Sequence, residues 1–446
     1  MSEVSQLKRR EIVDALRIGA VPRRGLEHFA VGLDRYERAL DEELEMVAAG
    51  NGRFKAVRGD YGTGKTFFSR WLEHRAREQG FATTLVQISE TETPLYKMET
   101  VYRRAVEGLS TSEWSQGAFV SLIDRWFYNL EDEVIEAGKA SPEDAEAFSK
   151  AVGELLEVRL GEVARAQPQF AAVLRACHAA RSRGDHGTEQ GLLSWLMGHP
   201  HVGTAIKRQA NLKGDLDNDG ALGFLRGLLE LLRQTGRKGL VLVLDEVETI
   251  QRVRADSREK SLNGLRGLID DTHGGRFPGL FVVITGTPSF FDGPQGVQRA
   301  QALAQRLHTK FDKEPRFDNP RAPQIRLLPF DLERMSEVGR RVRDLYPAQE
   351  PERVGARVTE DVIRGLADKV AGKLGGKVGI APRIFLKQLV DLIDKVNEFA
   401  DFDPVKHFDL ELDANDLTAE ERAAAGMERN VDDIALDLGG QGDGKA

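Results

Sequence analysis

Cysteine is nearly absent from this 446-residue chain, which contains a single one, Cys177. One cysteine cannot form an internal disulfide bond, so we expect a protein of a reducing compartment. Cys177 lies beside His178 in a helical pattern, FAAVLRACHAA. That setting indicates a small buried side chain rather than a nucleophile or a metal ligand.

Long apolar runs are also absent. No segment approaches the roughly 20 consecutive apolar residues that a membrane-spanning helix needs. The first 30 residues are charged and contain no continuous apolar stretch, which argues against a targeting peptide. The sequence therefore predicts a soluble, cytoplasmic protein.

The chain also has no excess of basic residues, and its net charge is −8. Residues 401–446 contain 13 acidic and 4 basic residues, so the first 400 residues are close to neutral. A neutral body neither requires nor excludes a nucleic acid partner. Within this acidic tail we predict a short capped helix over 416–430, starting near Thr418, and disorder in the final LDLGGQGDGKA.

The segment GDYGTGKTFFSRW (59–71) contains three glycines close together. This segment fills the pattern G-x-x-x-x-G-K-[ST] between a short strand pattern (53–59) and a helical pattern (67–78). Such a loop points backbone N–H groups at phosphates, with Lys65 reaching the β and γ phosphates and Thr66 binding Mg²⁺. The predicted nucleotide-binding residues are Gly59, Asp60, Tyr61, Gly62, Thr63, Gly64, Lys65, Thr66 and Phe67.

A second candidate segment, GLVLVLDEVE (239–248), follows about 180 residues later. Its unbroken apolar run is typical of a parallel strand buried on both faces. Asp245 would hold Mg²⁺ through its water shell, and Glu246 would orient or deprotonate an attacking water. The pair predicts Mg²⁺-dependent hydrolysis of a nucleotide rather than transfer to an acceptor as in a kinase, and no other metal site is indicated.

Further polar residues follow the next strand pattern and open a late helix. Thr285 and Thr287 end the strand LFVVITGTPSFF (280–291), where a hydroxyl can contact the γ phosphate or the water. Arg299 and Arg306 come before the next strand, and the segment 379–396 opens a late helix with Pro382 in its first turn and Arg383 beside it.

The periodicities predict an α/β fold: a parallel five-stranded sheet of the P-loop NTPase kind, with a large helical insertion and a C-terminal helical lid. The predicted strands are 53–59, 82–89, 239–245, 280–291 and 324–331, and a long helix is predicted at 258–273. The predicted parts are an N-terminal helical linker (1–50), the first part of the ATPase core (51–99), the insertion (100–236), the second part of the core (237–331), the lid (332–400) and the acidic tail (401–446).

Together, GDYGTGKT, LVLVLDEVE, VVITGTP, an arginine in the following helix and a late helix with Pro-Arg resemble an AAA+ ATPase of the origin-recognition and Cdc6-like branch. The segments EIVDALRIGAVPRRGL, FKAVRGDYGTGKTFFSRWL, TPLYKMETVYRRAV and IAPRIFLKQLVDLID further resemble the BrxD family, the ATP-binding proteins of BREX bacteriophage-defence systems. That second similarity runs nearly from end to end.

The resemblance implies further roles. Val21, Pro22, Val31 and Gly32 would lie near the adenine, Thr285 or Thr287 would be the first sensor, and Arg383, next to Pro382, the second. Arg306 would be the arginine finger acting across a subunit interface, with Arg299 as the second choice. The helical insertion is a departure from ordinary AAA+ cores, which lack it.

Two functions remain open at this point. In the first, a defence ATPase couples ATP to the binding of double-stranded DNA or to complex assembly, as a homo-oligomer beside a helicase, a methyltransferase and a phosphatase-like protein. In the second, the chain is a nucleotide-dependent signalling or scaffold switch that contacts no DNA. Arg252, Arg254, Arg258 and Lys260 would separate the two, because they form either a DNA-binding stripe or a solvated helix face.

Overall fold

The computed structural model describes residues 4–375, 382–410, 417, 421 and 422. The chain packs as two compact units. One unit comprises 30–60 and 64–328, and the other comprises the described residues of 1–29, 61–63 and 329–446.

The larger unit is built on a five-stranded parallel sheet. Its strands are β1 (Arg53–Arg58), β2 (Ala82–Gln87), β3 (Leu240–Asp245), β4 (Leu280–Gly286) and β5 (Gln324–Arg326), in the spatial order β2-β3-β4-β1-β5. Every residue of β3 and β4 is buried, as their unbroken apolar runs predicted. The sequence-based prediction of an α/β fold with a five-stranded parallel sheet is confirmed.

The rest of the described secondary structure is helical. In chain order the structure has α1 (Gln6–Arg17), α2 (Asp34–Ala48), α3 (Lys65–Glu78), α4 (Met98–Glu107), α5 (Ala118–Glu136), α6 (Ala145–Ala166), α7 (Pro168–Ser182), α8 (His186–Leu196), α9 (Thr204–Gln209), α10 (Asn218–Gln234), α11 (Ala255–His273), α12 (Pro288–Asp292), α13 (Gln301–Leu307), α14 (Leu332–Leu345), α15 (Pro351–Arg357), α16 (Glu360–Lys373), α17 (Pro382–Glu398) and α18 (Pro404–His407). Short 3₁₀ turns lie at 26–28, 247–252, 297–299 and 315–317.

Helices α4 to α10 fill the chain between β2 and β3, so the predicted helical character of 100–236 is confirmed. Their core contains an aromatic cluster around Phe224, whose ring centroid lies 5.4 to 5.9 Å from those of Tyr102, Phe170 and Trp195. The same apolar core continues into the sheet strands. Cys177 is fully buried in it, and burial raises the pKa of its thiol to about 12, as expected for an unreactive side chain.

The smaller unit contains α1 and α14 to α18. Arg17 at the end of α1 donates two hydrogen bonds to the Asp394 carboxylate on α17, at 2.8 and 2.9 Å. The Tyr346 hydroxyl donates to the same carboxylate at 2.6 Å. These bonds fix α1 against the helices of the C-terminal half. The predicted tail helix over 416–430 lies outside the described residues, apart from 417, 421 and 422.

Several predicted boundaries were wrong. The strand predicted at 280–291 ends at Gly286, because Pro288 lacks an N–H and its fixed φ suits the first turn of α12. The strand predicted at 82–89 ends at Gln87, where Ser89 accepts turn-forming hydrogen bonds from the backbone N–H groups of Glu92 and Thr93. The strand predicted at 324–331 ends at Arg326, and the helix predicted at 258 begins three residues earlier.

Candidate nucleotide-binding site

The glycine-rich loop joins β1 to α3, as the sequence predicted. Gly62 and Gly64 have φ angles of +79° and +87°, which glycine adopts without the steric cost of a Cβ atom. The Gly59 N–H donates to the Gly286 carbonyl oxygen at 3.1 Å, so the start of the loop is bonded to the end of β4. Tyr61, Gly62 and Thr63 group with the smaller unit, and the site is described from the other loop residues.

Lys65 is the first residue of α3 and is only 8% exposed. Its Nζ donates to the carbonyl oxygens of Gly59 at 3.0 Å and Asp60 at 3.3 Å. The ammonium group is therefore curled back onto the loop. It lies at the N-terminus of a 14-residue helix, where the aligned peptide dipoles favour anions.

Asp245 ends β3 and is buried to 2% exposure. One carboxylate oxygen accepts a hydrogen bond from the Thr66 hydroxyl at 3.1 Å, and the other accepts one from the Thr285 hydroxyl. Because β4 lies between β1 and β3, the end of β4 brings Thr285 between the loop and Asp245. Two segments that are about 180 residues apart thus meet in one hydrogen-bonded group.

Glu246 follows β3 with a left-handed backbone, φ 59° and ψ 42°. This conformation costs a residue with a Cβ atom on the order of 1–3 kcal/mol, and it turns the chain sharply into the 3₁₀ turn. The Glu246 N–H donates to the Thr285 hydroxyl oxygen at 3.2 Å. Its carboxylate accepts a hydrogen bond from the Gln87 side chain at 3.0 Å.

Gln87 was missed by sequence reasoning. It ends β2, and the parallel register pairs it with Asp245, which places its amide beside the residue that follows. A polar residue at the end of an apolar strand was the available signal. The pairing of β2 with β3 was the missing information.

Glu248 was also missed. It is 5% exposed, and its Oε1 lies 3.8 Å from the Lys65 Nζ. Burial raises the pKa of this carboxyl, the positive charge of Lys65 opposes the rise, and the charges of Glu246 and Asp245 add to it. The signal in the sequence was a group of three acidic residues, Asp245, Glu246 and Glu248, at the end of an apolar strand.

Residues 4–412 match the family model of the BREX system ATP-binding protein BrxC/D. The chain belongs to this family. It is thus an ATP-binding protein of the BREX type, and the resemblance to the BrxD family inferred from the sequence is confirmed. A search of curated proteins gave no match.

The described part of this BREX-family chain contains no helix long and apolar enough to cross a membrane. It also contains no cluster of three or more histidine, cysteine or acidic side chains arranged to hold a metal ion. The predicted Mg²⁺ ligands, Thr66 and Asp245, are one hydroxyl and one carboxylate. They do not form a cluster of this kind.

The structure separates the two threonines considered as the first sensor. Thr285 bonds to Asp245 and Glu246, whereas the Thr287 hydroxyl lies 3.0 Å from the Ser289 hydroxyl. Both threonines are buried.

The two candidates for the arginine finger, Arg299 and Arg306, lie on a short 3₁₀ turn and a short helix. Arg299 ends the 3₁₀ turn at 297–299 and is exposed. Arg306 lies on α13 and donates two hydrogen bonds to the carboxylate of Asp270 on α11, one of them at 2.9 Å. Each side chain of this pair is about two fifths exposed to solvent.

The remaining predicted site residues divide between the two units. Val31 and Gly32 belong to the larger unit, and Val21, Pro22, Pro382 and Arg383 to the smaller one. Within the smaller unit, the Arg383 guanidinium donates to both carboxylate oxygens of the buried Glu421. The roles of these residues toward a nucleotide stay predictions.

The basic segment after β3 carries mixed charge. Arg252, Arg254 and Lys260 are exposed, but so are Asp256 and Glu259 between them. Arg258 is half-buried and donates to the Val253 carbonyl oxygen at 2.9 Å.

Proposed function

We propose that this chain binds and hydrolyses ATP with Mg²⁺, as an AAA+-type ATPase of BREX phage defence. The observation that carries the proposal is the hydrogen-bonded group formed by Thr66, Asp245, Thr285 and Glu246 next to Lys65. It joins the loop, the metal-binding carboxylate and the candidate base in one place.

The loop residues fit the phosphates of a nucleotide. Lys65 supplies a positive charge, and the N-terminus of α3 supplies the positive end of the helix dipole. The Lys65 bonds to Gly59 and Asp60 are to neutral carbonyl oxygens, which hold an ammonium group less strongly than phosphate oxygens do. Phosphates are therefore able to draw Lys65 off the loop.

The oxygens of Thr66 and Asp245 fit Mg²⁺. They lie 3.1 Å apart, and a hydroxyl and a carboxylate are ligands that this hard cation prefers. When bound, Mg²⁺ neutralises phosphate charge as it develops in hydrolysis. The Thr285 hydroxyl, bonded to the other oxygen of Asp245, orients the carboxylate toward Thr66.

Glu246 acts as the base in this proposal. Its carboxylate is held by Gln87 and its backbone by Thr285, so that it can accept a proton from a water without first reorganising. These contacts support Thr285, rather than Thr287, as the residue that links the γ phosphate to the two carboxylates.

The remaining roles are proposed from the family likeness. Arg383 serves as the second sensor, Arg306 as the arginine finger of a neighbouring subunit, and Val21, Pro22, Val31 and Gly32 as adenine contacts. ATP then drives DNA binding or assembly with other BREX proteins, in a homo-oligomer.

The switch without DNA binding is the second candidate, and the mixed charge of residues 252–260 favours it. Asp256 and Glu259 weaken the attraction of the neighbouring arginines to phosphate groups.

Phosphate release and molecular mass, measured with and without duplex DNA and with and without Mg²⁺, test the proposal. We expect Mg²⁺-dependent phosphate release. Stimulation by duplex DNA supports the DNA-coupled function, and an unchanged rate supports the switch. Failure to release phosphate at all, with or without DNA, contradicts the ATPase assignment.

A further inference from the structure

Glu248 is a buried carboxylate whose hydrogen-bonding capacity is not used. It is 5% exposed, and neither of its oxygens has a hydrogen-bond partner in the described structure. The neighbouring acidic residues differ, since Asp245 accepts from two hydroxyl groups and Glu246 accepts from an amide. Burying a carboxylate without donors is costly, so this arrangement calls for an explanation.

Lys65 is the cation that faces it. The Nζ of Lys65 lies 3.8 Å from Glu248 Oε1, which is within reach of charge attraction but beyond a hydrogen bond. The hydrogen bonds of this ammonium go instead to the carbonyl oxygens of Gly59 and Asp60. Glu248 therefore contributes negative charge to Lys65 without fixing its direction.

We propose that Glu248 is the resting counter-ion of Lys65 and that it sets how tightly the site holds nucleoside di- and triphosphates. The inference rests on the proposed function only in that phosphates bind at Lys65. Phosphate oxygens and the Glu248 carboxylate compete for one ammonium, and the two anions repel each other across the buried site. Glu248 thus weakens the binding of ATP and of the product ADP, and it helps the product to leave.

Glu248→Gln tests this directly, because it preserves shape and removes the charge. We expect the Kd for ADP and for a non-hydrolysable ATP analogue to fall about three- to tenfold, since the repulsion is lost. Glu248→Asp keeps the charge and should retain the wild-type Kd within about twofold. Both ligands are measured by titration without turnover, so a failure of hydrolysis does not affect the result.

Glu43→Gln is the matched control. Glu43 is a buried glutamate of the same unit and pairs with two residues of β1, the buried Lys55 at 2.9 Å and Arg53. Its substitution removes a buried carboxylate beside a lysine but should leave the nucleotide Kd unchanged. An unchanged or raised Kd in Glu248→Gln overturns the proposal, because it means that Glu248 does not oppose nucleotide binding.

A second measurement needs no nucleotide. In the nucleotide-free protein, Lys65→Met leaves Glu248 buried without its counter-ion, so the variant should unfold at lower denaturant concentration. Adding Glu248→Gln should recover part of this loss, which a double-mutant cycle measures as coupling. If the two substitutions show no coupling, the counter-ion role of Glu248 is wrong, even if the protein binds nucleotide normally. If they are coupled but the protein binds no nucleotide, the proposed function is wrong and the ion pair of Lys65 with Glu248 stands.

Discussion

Thr285 links the two carboxylates of the candidate site. Its hydroxyl donates to Asp245 and accepts from the Glu246 N–H at 3.2 Å, and the residue is fully buried. One side chain therefore fixes both the predicted metal ligand and the predicted base. Removal of the hydroxyl leaves a buried carboxylate oxygen and a part-buried N–H without their partner, at a cost of about 1–3 kcal/mol.

Thr285→Val is expected to lower the rate of ATP hydrolysis about ten- to a hundredfold, because the two carboxylates lose their shared orientation. The affinity for ATP should change less than about threefold, since Lys65 is untouched. Phosphate release and nucleotide titration measure the two effects. Thr287→Val is the matched variant, with the same chemistry at a hydroxyl that bonds to Ser289, and the opposite pattern would assign the sensor role to Thr287.

The elements of the sheet were predictable from the sequence because their apolar runs are unambiguous. β3 and β4 read as unbroken apolar strands, and the structure buries both completely. Their ends were harder to place, since a proline after β4 begins a helix rather than extending the strand. Lys65, Thr66, Asp245 and Glu246 were predicted from spacing, and the structure places them close together, while their roles toward a nucleotide stay predictions.

Other site residues could not be found in this way. The contact of Gln87 with Glu246 depends on the pairing of β2 with β3, and the contact of Glu248 with Lys65 depends on the turn after β3. A single sequence carries no direct record of either. The pairing of Arg306 with Asp270 likewise depends on α13 lying near α11.

The helical insertion depends on close packing between α7 and α10. A Cβ atom added at Gly227 on α10 would lie 2.6 Å from the ring of Phe170 on α7. That ring is itself part of the aromatic cluster around Phe224. The absence of a side chain at 227 therefore allows the two helices to approach.

Gly227→Ala is expected to destabilise the protein by about 1–3 kcal/mol, because the added methyl group displaces a buried ring. Denaturant unfolding, followed by helical circular dichroism, measures the change. Gly161→Ala is the control, since a Cβ atom at this exposed position in α6 meets nothing within 4 Å. It should stabilise by up to about 1 kcal/mol through helix propensity alone, and equal effects of the two substitutions would contradict the packing argument.

For the whole molecule, the main question is whether the subunits of the proposed homo-oligomer complete each other's sites. Arg306 forms a bidentate ion pair with Asp270 of its own chain. Both side chains are partly exposed, and such pairs contribute only about 0–1 kcal/mol. The pair is thus weak enough for Arg306 to leave it when a neighbouring phosphate group offers a stronger contact.

Arg306→Ala should bind ATP normally but lose hydrolysis, because a finger acts on charge that develops in the transition state. Lys65→Ala should lose nucleotide binding, since the charge facing the phosphates is removed. Mixing the two inactive variants should restore part of the activity, as one supplies an intact pocket and the other an intact arginine. Phosphate release from mixtures at several ratios measures this, and wild-type activity of Arg306→Ala alone would show that the arginine is not a finger.

The most direct test of the central claim, that this chain hydrolyses ATP with Glu246 as base, is the fate of bound ATP in Glu246→Gln. The substitution keeps the size of the side chain and its capacity to bond with Gln87, but it removes the group that accepts the proton. The bound nucleotide is extracted after incubation with Mg²⁺ and identified by chromatography, with Glu259→Gln, an exposed glutamate on α11, as the control. We predict ADP in the wild type and the control, and ATP retained in Glu246→Gln with turnover lowered at least about a hundredfold. Conversion to ADP at the wild-type rate in Glu246→Gln would contradict the account.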